Sequence, residues 1–394
     1  MQYAEPRLPV SIAVEVIRVM KIPCVYMRGG TSKGAMFMKK DLPEDKSLWD
    51  DIFIKVMGGP DLKQIDGLGG TVSSNNKIVI VSSSTKDDID VEYLVAQVLV
   101  GEPVVDYSAN CGNMTSAVGP YAISQGLVKA DKPTTKVRML NLNTDKVIEE
   151  YVPTKDGFVE ENGDCSIAGI DGTGAELKVN FIDPAGAKTG MLFPTGSRID
   201  EIVVEGLGRI TATIADISSI TVFIIGRDIG IKGDELPSSL NNDKRFLDAV
   251  ERIRGTAAMK LGLVDKWQDA ATRTAGTPKL VILAPPTDYT DVAGRAVMKE
   301  DMDVCVRVIS VGAVHKASPL TCAMAIGGVS FIEGTVIESC IKDKKTADSV
   351  RIGHPSGVMK VYVDYETDGE IRFNGIACQR TARKIMEGYV YIRE

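Results

Sequence analysis

The sequence predicts an α+β fold made of two similar β-rich halves, each with many strands around one principal helix and a cleft between them. Short β-type runs separated by turn signals recur along nearly all of the 394 residues. Asp183-Pro184-Ala185-Gly186 breaks that pattern near the middle. A chain of this length also exceeds one ordinary core and divides naturally into two of about 180 to 200 residues each. The regular strand-helix alternation of a parallel nucleotide-binding sheet is missing.

Residues 1–20 are loosely patterned and read as an extension, so the first domain is expected over 21–186. Its strands are expected at Cys24–Met27, Ala35–Met38, Lys77–Ser82 and Ile89–Leu99, with a helix near Ser47–Met57. A helix then opens at Cys111 and runs to about Gln125, followed by strands at Lys136–Leu142, Val147–Val152 and Glu176–Phe181. The second domain, 187–375, repeats the style with strands at Ile199–Val204, Ile210–Ile214, Ser219–Ile225, Lys279–Ala284, Val304–Ser310, Gly334–Ile337 and Val358–Asp364. Apolar residues at helical intervals mark a helix over Asp243–Leu261. A shorter helix follows Ser318-Pro319, with Ser318 as a natural N-cap and the proline in the first turn. The closing segment, 376–394, is expected to pack back on the first domain, with a helix at Arg380–Glu387 and a strand at Tyr389–Ile392.

Composition narrows the function classes. Hydrophobic residues at 44% and charged residues at 25% are ordinary for a soluble globular protein. The net charge of −7, with no basic block, argues against nucleic acid as a partner. No apolar run is long enough to span a bilayer, and no signal peptide is evident. Seven scattered cysteines without a Cys-x-x-Cys pair fit a reducing cytoplasm. With only His315 and His354, far apart, no metal-ligand spacing exists, so no metal is expected.

The densest chemical signal is Ala109-Asn110-Cys111-Gly112-Asn113-Met114-Thr115. A thiol at a helix start feels the positive end of the helix dipole, and the first-turn N–H groups can hold a carboxylate. The same residues also fit a buried structural cysteine beside an Asn-Gly turn. Arg28-Gly29-Gly30-Thr31-Ser32-Lys33-Gly34 offers hydroxyls next to a backbone that a ligand can approach, although plain hairpins also use such glycines. It lacks the order of a phosphate loop. Lys77 heads the apolar run Ile78-Val79-Ile80-Val81. If it points into a cleft, desolvation favours the neutral amine that a base requires; an edge-strand lysine is the bland alternative. In the second half, Lys279 and Arg307 can supply positive charge for carboxylates or simply form surface salt bridges, and His315, Ser318, His354 and Ser356 stand at turns, where a histidine is more often structural than catalytic.

Together these segments resemble the PrpF family of methylaconitate and related isomerases, within the diaminopimelate-epimerase-like fold. The carriers are RGGTSKG (28–34), QIDGLGG (64–70) with Lys77 after it, ANCGNM (109–114), DPAGAKTG (183–190), HKASPLT (315–321), GHPSG (353–357) and RTARKIMEG (380–388). The resemblance runs from about Lys21 to the C-terminus. It implies two pseudo-equivalent domains, each a β-barrel-like sheet around a central helix, with the active site in the interdomain cleft. It also implies cofactor-independent isomerisation of small unsaturated di- or tricarboxylates such as 2-methylaconitate, 3-methylitaconate, aconitate or 4-oxalomesaconate. Lys77, Cys111 and Ser32 match the family's catalytic positions. Thr31, Asn110, Gly112, Asn113, Lys279, His315, Ser318, His354 and Ser356 are the expected binding residues. A homodimer is the default assembly. Two other readings stay open: an amino-acid epimerase or racemase on the same fold, and a non-catalytic carboxylate-binding protein. An epimerase of this fold pairs two cysteines, whereas here the second helix opens on Ser318-Pro319, with Cys322 one turn further in.

Overall fold

The computed structural model describes residues 19–107, 111–310, 312–341, 348–368 and 370–393. The first half contains β1 (Val19–Gly29), β2 (Ser32–Met38), α1 (Trp49–Met57), β3 (Lys77–Ser83) and β4 (Val91–Val98). It continues through α2 (Gly112–Thr115), α3 (Val118–Ser124), β5 (Thr134–Asn141), β6 (Lys146–Lys155) and β7 (Leu177–Ile182). The second half runs β8 (Asp200–Val204), β9 (Gly208–Ile217), β10 (Ser219–Ile225), α4 (Lys244–Lys260), β11 (Lys279–Ala284) and β12 (Val304–Ser310). After these come α5 (Leu320–Val329), β13 (Ser349–His354), β14 (Gly357–Asp368), β15 (Glu370–Arg380) and β16 (Ala382–Arg393).

The pairing repeats. β1–β2 is antiparallel, β2–β3 parallel, β3–β4 antiparallel, β4–β5 parallel and β5–β6 antiparallel. The same sequence of senses recurs through β9–β10, β10–β11, β11–β12, β12–β13 and β13–β14. In each half a helix lies in the connection between the fourth and fifth strands of this series, α2–α3 in one and α5 in the other. That arrangement is the α+β class the sequence predicts, with a sheet curled around a central helix twice over. Topology therefore equates Lys77, the first residue of β3, with Lys279, the first of β11. It likewise equates Ser32 with Ser219, and Gly112 with Leu320.

Burial explains the layering. Every residue from Cys322 to Val329 is buried, so α5 is apolar all round and lies inside its sheet against Ile217, Phe223, Val306, Ile352 and Val361. Gly327 and Gly328 allow this closeness, because a Cβ on either would stand 2.5 Å from Val361 Cγ1 or 2.6 Å from Ile217 Cδ1. Met114, Val118 and Tyr121 occupy the same place in the first half against Met27, Met36, Val79, Val95 and Val152. α1 and α4 are amphipathic and cover the opposite faces of the two sheets.

Several expectations need correction. The helix expected from Cys111 to Gln125 is two pieces. Pro120 has no N–H for the Ser116 carbonyl, so the chain breaks at Ser116–Ala117 and restarts with Pro120 inside the first turn of α3. Ser318 does not cap α5; Pro319 holds that position with extended ψ, and the Ser318 hydroxyl has no partner. Residues 336–339 form a 3-10 turn where a strand was expected. The expected helix at Arg380–Glu387 is the junction of β15 and β16. Helix-forming Lys, Met and Glu side chains point that way locally, but β16 pairs with β1 along its whole length. Along most of β16 exposed residues alternate with half-buried ones, a period of two set by tertiary pairing.

Candidate active site

Lys77 is placed by sheet register. β2 and β3 run parallel with Gly34 opposite Lys77, and a Cβ on Gly34 would collide with the Lys77 carbonyl. On the other side, Lys77 faces Gln97 of β4. Gln97 Nε2 donates to the carbonyls of Asn76 (3.0 Å) and Val98 (2.8 Å), which fixes the amide so that Oε1 accepts from Lys77 Nζ. Asn76, fully buried, donates to the carbonyl of Val72 (2.9 Å) and closes the glycine-rich loop that leads into Lys77.

The Arg28–Gly34 loop packs on the start of α2. A Cβ on Gly29 would stand 2.5 Å from the Asn113 carbonyl oxygen, and one on Gly30, at φ +49, would stand as close to Asn113 Oδ1. Asn113 Nδ2 in turn donates to Thr31 Oγ1 (3.0 Å) and reaches Ser32 Oγ at 3.4 Å. Across from it, a Cβ on Gly112 would strike the Leu320 side chain, so the starts of α2 and α5 abut. Lys279 Nζ donates to Thr321 Oγ1 (2.8 Å) and lies 3.4 Å from Ser219 Oγ.

These groups surround one cavity of about 910 Å³, lined among others by Thr31, Lys77, Cys111, Gly112, Asn113, Lys279, His315, Ser318 and His354. Ser32 and Ser356 are buried and are not among its lining residues. Ser356 Oγ donates to the Lys316 carbonyl and so anchors the His315–Ala317 turn. Asn110 lies outside the described residues. Cys111 is half-buried at the boundary of α2, a helix of four residues, so the dipole available to it is that of a single turn.

The floor of the cavity is cationic. Among the described residues, Lys77, Lys279 and Arg380 form no ion pair, while the lining acids Asp145 and Asp183 are exposed. His354 is fully buried, and burial, with Arg380 and Arg307 nearby, pushes its pKa down to about 3. The ring is therefore neutral. Gln97 and Ser219 were not picked out from the sequence, and Thr321 and Arg380 entered only inside the HKASPLT and RTARKIMEG segments, with no site role given to either. The repeated strand pattern would have exposed Lys279 and Ser219 as counterparts of Lys77 and Ser32; Gln97 needed the β3–β4 register.

The PrpF protein family model matches residues 19–393. The chain belongs to the PrpF family. Among its relatives, 2-methyl-aconitate isomerase of Shewanella oneidensis is 40% identical, over 95% of this chain and 97% of that one. The 3-methylitaconate isomerase of Eubacterium barkeri is 38% identical, over 95% and 98% of the two chains. The crystal structure of a methylitaconate-delta-isomerase superposes with a TM-score of 0.88 at 38% identity, covering 95% of this chain and 96% of that one. This PrpF-family chain therefore shares its fold and 95% of its length with named isomerases.

Proposed function

We propose that the protein is a cofactor-independent isomerase of small unsaturated di- or tricarboxylates, moving a proton and a double bond by allylic proton abstraction and return. The observation that carries this reading is the meeting of Lys77 and Cys111 in one cavity with a cationic floor. Lys77, positioned by Gln97 Oε1, removes a proton from the carbon allylic to the double bond. The electron pair moves into the π system, and the negative charge spreads onto the adjoining carboxylate. Preorganised donors at that carboxylate, the Thr31 hydroxyl and the backbone N–H groups of Gly112 and Asn113, stabilise the charge as it develops. The proton returns at the far allylic carbon from Lys77 or from the Cys111 thiol. Lys279, with His315 at the mouth, holds a second carboxylate.

An epimerase using two thiols finds less support. Cys322 is fully buried, and burial pushes its thiol up to about 11. The test is proton NMR of the purified protein with cis- and trans-aconitate, 2-methylaconitate, 3-methylitaconate, 4-oxalomesaconate and a set of chiral amino acids. Conversion of one alkene, lost in Lys77→Ala, is the expected result. Racemisation of an amino acid with every alkene untouched would overturn the proposal.

A further inference from the structure

One end of the cavity carries three buried donors that the reaction above leaves idle. Arg380, the last residue of β15, is 5% exposed and lines the cavity. Its Nη1 donates to the carbonyl of Gln379, its own neighbour, at 2.7 Å and lies 3.8 Å from Met359 Sδ; its Nε has no partner. No carboxylate pairs with it among the described residues. Glu176, close enough to accept from the adjacent Gln379 (3.2 Å), also accepts from Tyr362 (3.0 Å). A guanidinium withdrawn from water without an anion is costly, and a buried polar atom without a partner calls for an explanation; Arg307 is buried in the same way but does not line the cavity.

His354, the last residue of β13, is the second donor. Its Nδ1 accepts the backbone N–H of Ser356 at 3.2 Å. In the neutral ring the proton therefore sits on Nε2, and that atom is buried without a partner. Arg380 and His354 are near enough for the guanidinium charge to act on the ring. Ser318 is the third: 4% exposed, on the same cavity, with an idle hydroxyl. Three unpaired donors and one net positive charge, enclosed together, match an anion with several acceptor oxygens.

We infer that Arg380, His354 Nε2 and Ser318 Oγ form a subsite for a third carboxylate, beyond those held at Gly112 and at Lys279, so that this part of the cavity sets which acids the enzyme accepts. The inference rests on the isomerase reading, because it takes the ligand to be a polycarboxylate. Arg380 reads that carboxylate through its fixed fork, and His354 and Ser318 add neutral donors.

The probes are two inert saturated acids, propane-1,2,3-tricarboxylate and pentanedioate, which is the same chain without its middle carboxylate. Neither carries a double bond to isomerise, so calorimetric binding is read apart from turnover. The unsubstituted protein is expected to bind the tricarboxylate about 10- to 100-fold more tightly, the range of one charge-assisted hydrogen bond. Arg380→Gln is expected to abolish that ratio while leaving pentanedioate affinity within about threefold of its original value. Ser318→Ala, which keeps the guanidinium and serves if Arg380→Gln does not fold, should reduce the ratio about three- to tenfold. Equal affinities for the two acids in the unsubstituted protein would overturn the inference, as would a ratio that survives both substitutions. Those results would leave alkene conversion untouched, and absent conversion with an intact ratio would instead count against the isomerase.

Discussion

Replacing Glu150 by Gln should make the protein more stable at neutral and alkaline pH, by an amount that grows with pH. Glu150 lies on β6, completely buried, with Oε2 accepting the Gly119 N–H of α3 at 2.8 Å and Oε1 without a partner. Burial pushes its carboxyl up from 4.5 to about 8, the Gly119 bond opposing only in part. The native state thus holds a proton that the unfolded chain has released between those values. Its contribution is fully present below pH 4.5 and is lost as pH rises through about 8. The slope is roughly 1.4 kcal/mol per pH unit, and the total is on the order of 5 kcal/mol. His354 works in the opposite sense, because its contribution is present above 6.5 and lost as pH falls toward about 3. The two slopes cancel between about pH 4.5 and 6.5, so the wild-type curve alone hides both. The amide in Glu150→Gln keeps the bond to Gly119 and cannot ionise, so subtracting the two proteins' urea-unfolding free energies isolates Glu150. From pH 5 to pH 8 the variant should gain roughly 4 kcal/mol relative to the parent. A difference that stays flat across that range would refute the assignment of a neutral, buried Glu150.

The catalytic geometry makes further predictions. Gln97→Glu removes the amide that positions Lys77 Nζ, so kcat should fall about 10- to 1,000-fold with KM little changed; an unchanged kcat would remove Gln97 from the role of positioning residue. Gly34→Ala puts a Cβ against the Lys77 carbonyl in the β2–β3 register, and a displacement of about 1 Å at the base should lower kcat about 100-fold; full activity in that variant would show that Lys77 is not held by this register. If the Cys111 thiol returns the proton, Cys111→Ser should still exchange deuterium into recovered substrate while product formation slows about 100-fold or more; unchanged product formation would assign the return to Lys77, and an equal loss of both would place the thiol at proton removal.

Much of the fold and part of the site were legible in the chain itself. Lys77 at the head of an apolar strand and Cys111 beside Gly112 and Asn113 each had an ordinary structural alternative, and the resemblance of the surrounding segments to the PrpF family is what tied both to a site; both line the cavity. The long helix α4 carries its own punctuation in Asp243, whose carboxylate caps the first turn. What stayed hidden depends on partners distant in sequence. Gln97 acquires its meaning from facing Lys77 across two strands. Arg380 sits in a segment whose helix formers mask a strand, and its burial follows from pairing with β7 and β14. Ser356 looked like a site residue because it follows His354, but its hydroxyl is spent on the Lys316 carbonyl.

The most direct test of the central claim is proton NMR in D2O with whichever unsaturated acid the protein converts, run side by side on the parent and on Lys77→Ala. The account predicts that deuterium enters the allylic carbon in the parent and that both its entry and product formation vanish in the folded variant. Deuterium entering Lys77→Ala at the parent's rate would show that another group removes the proton, and would contradict the account.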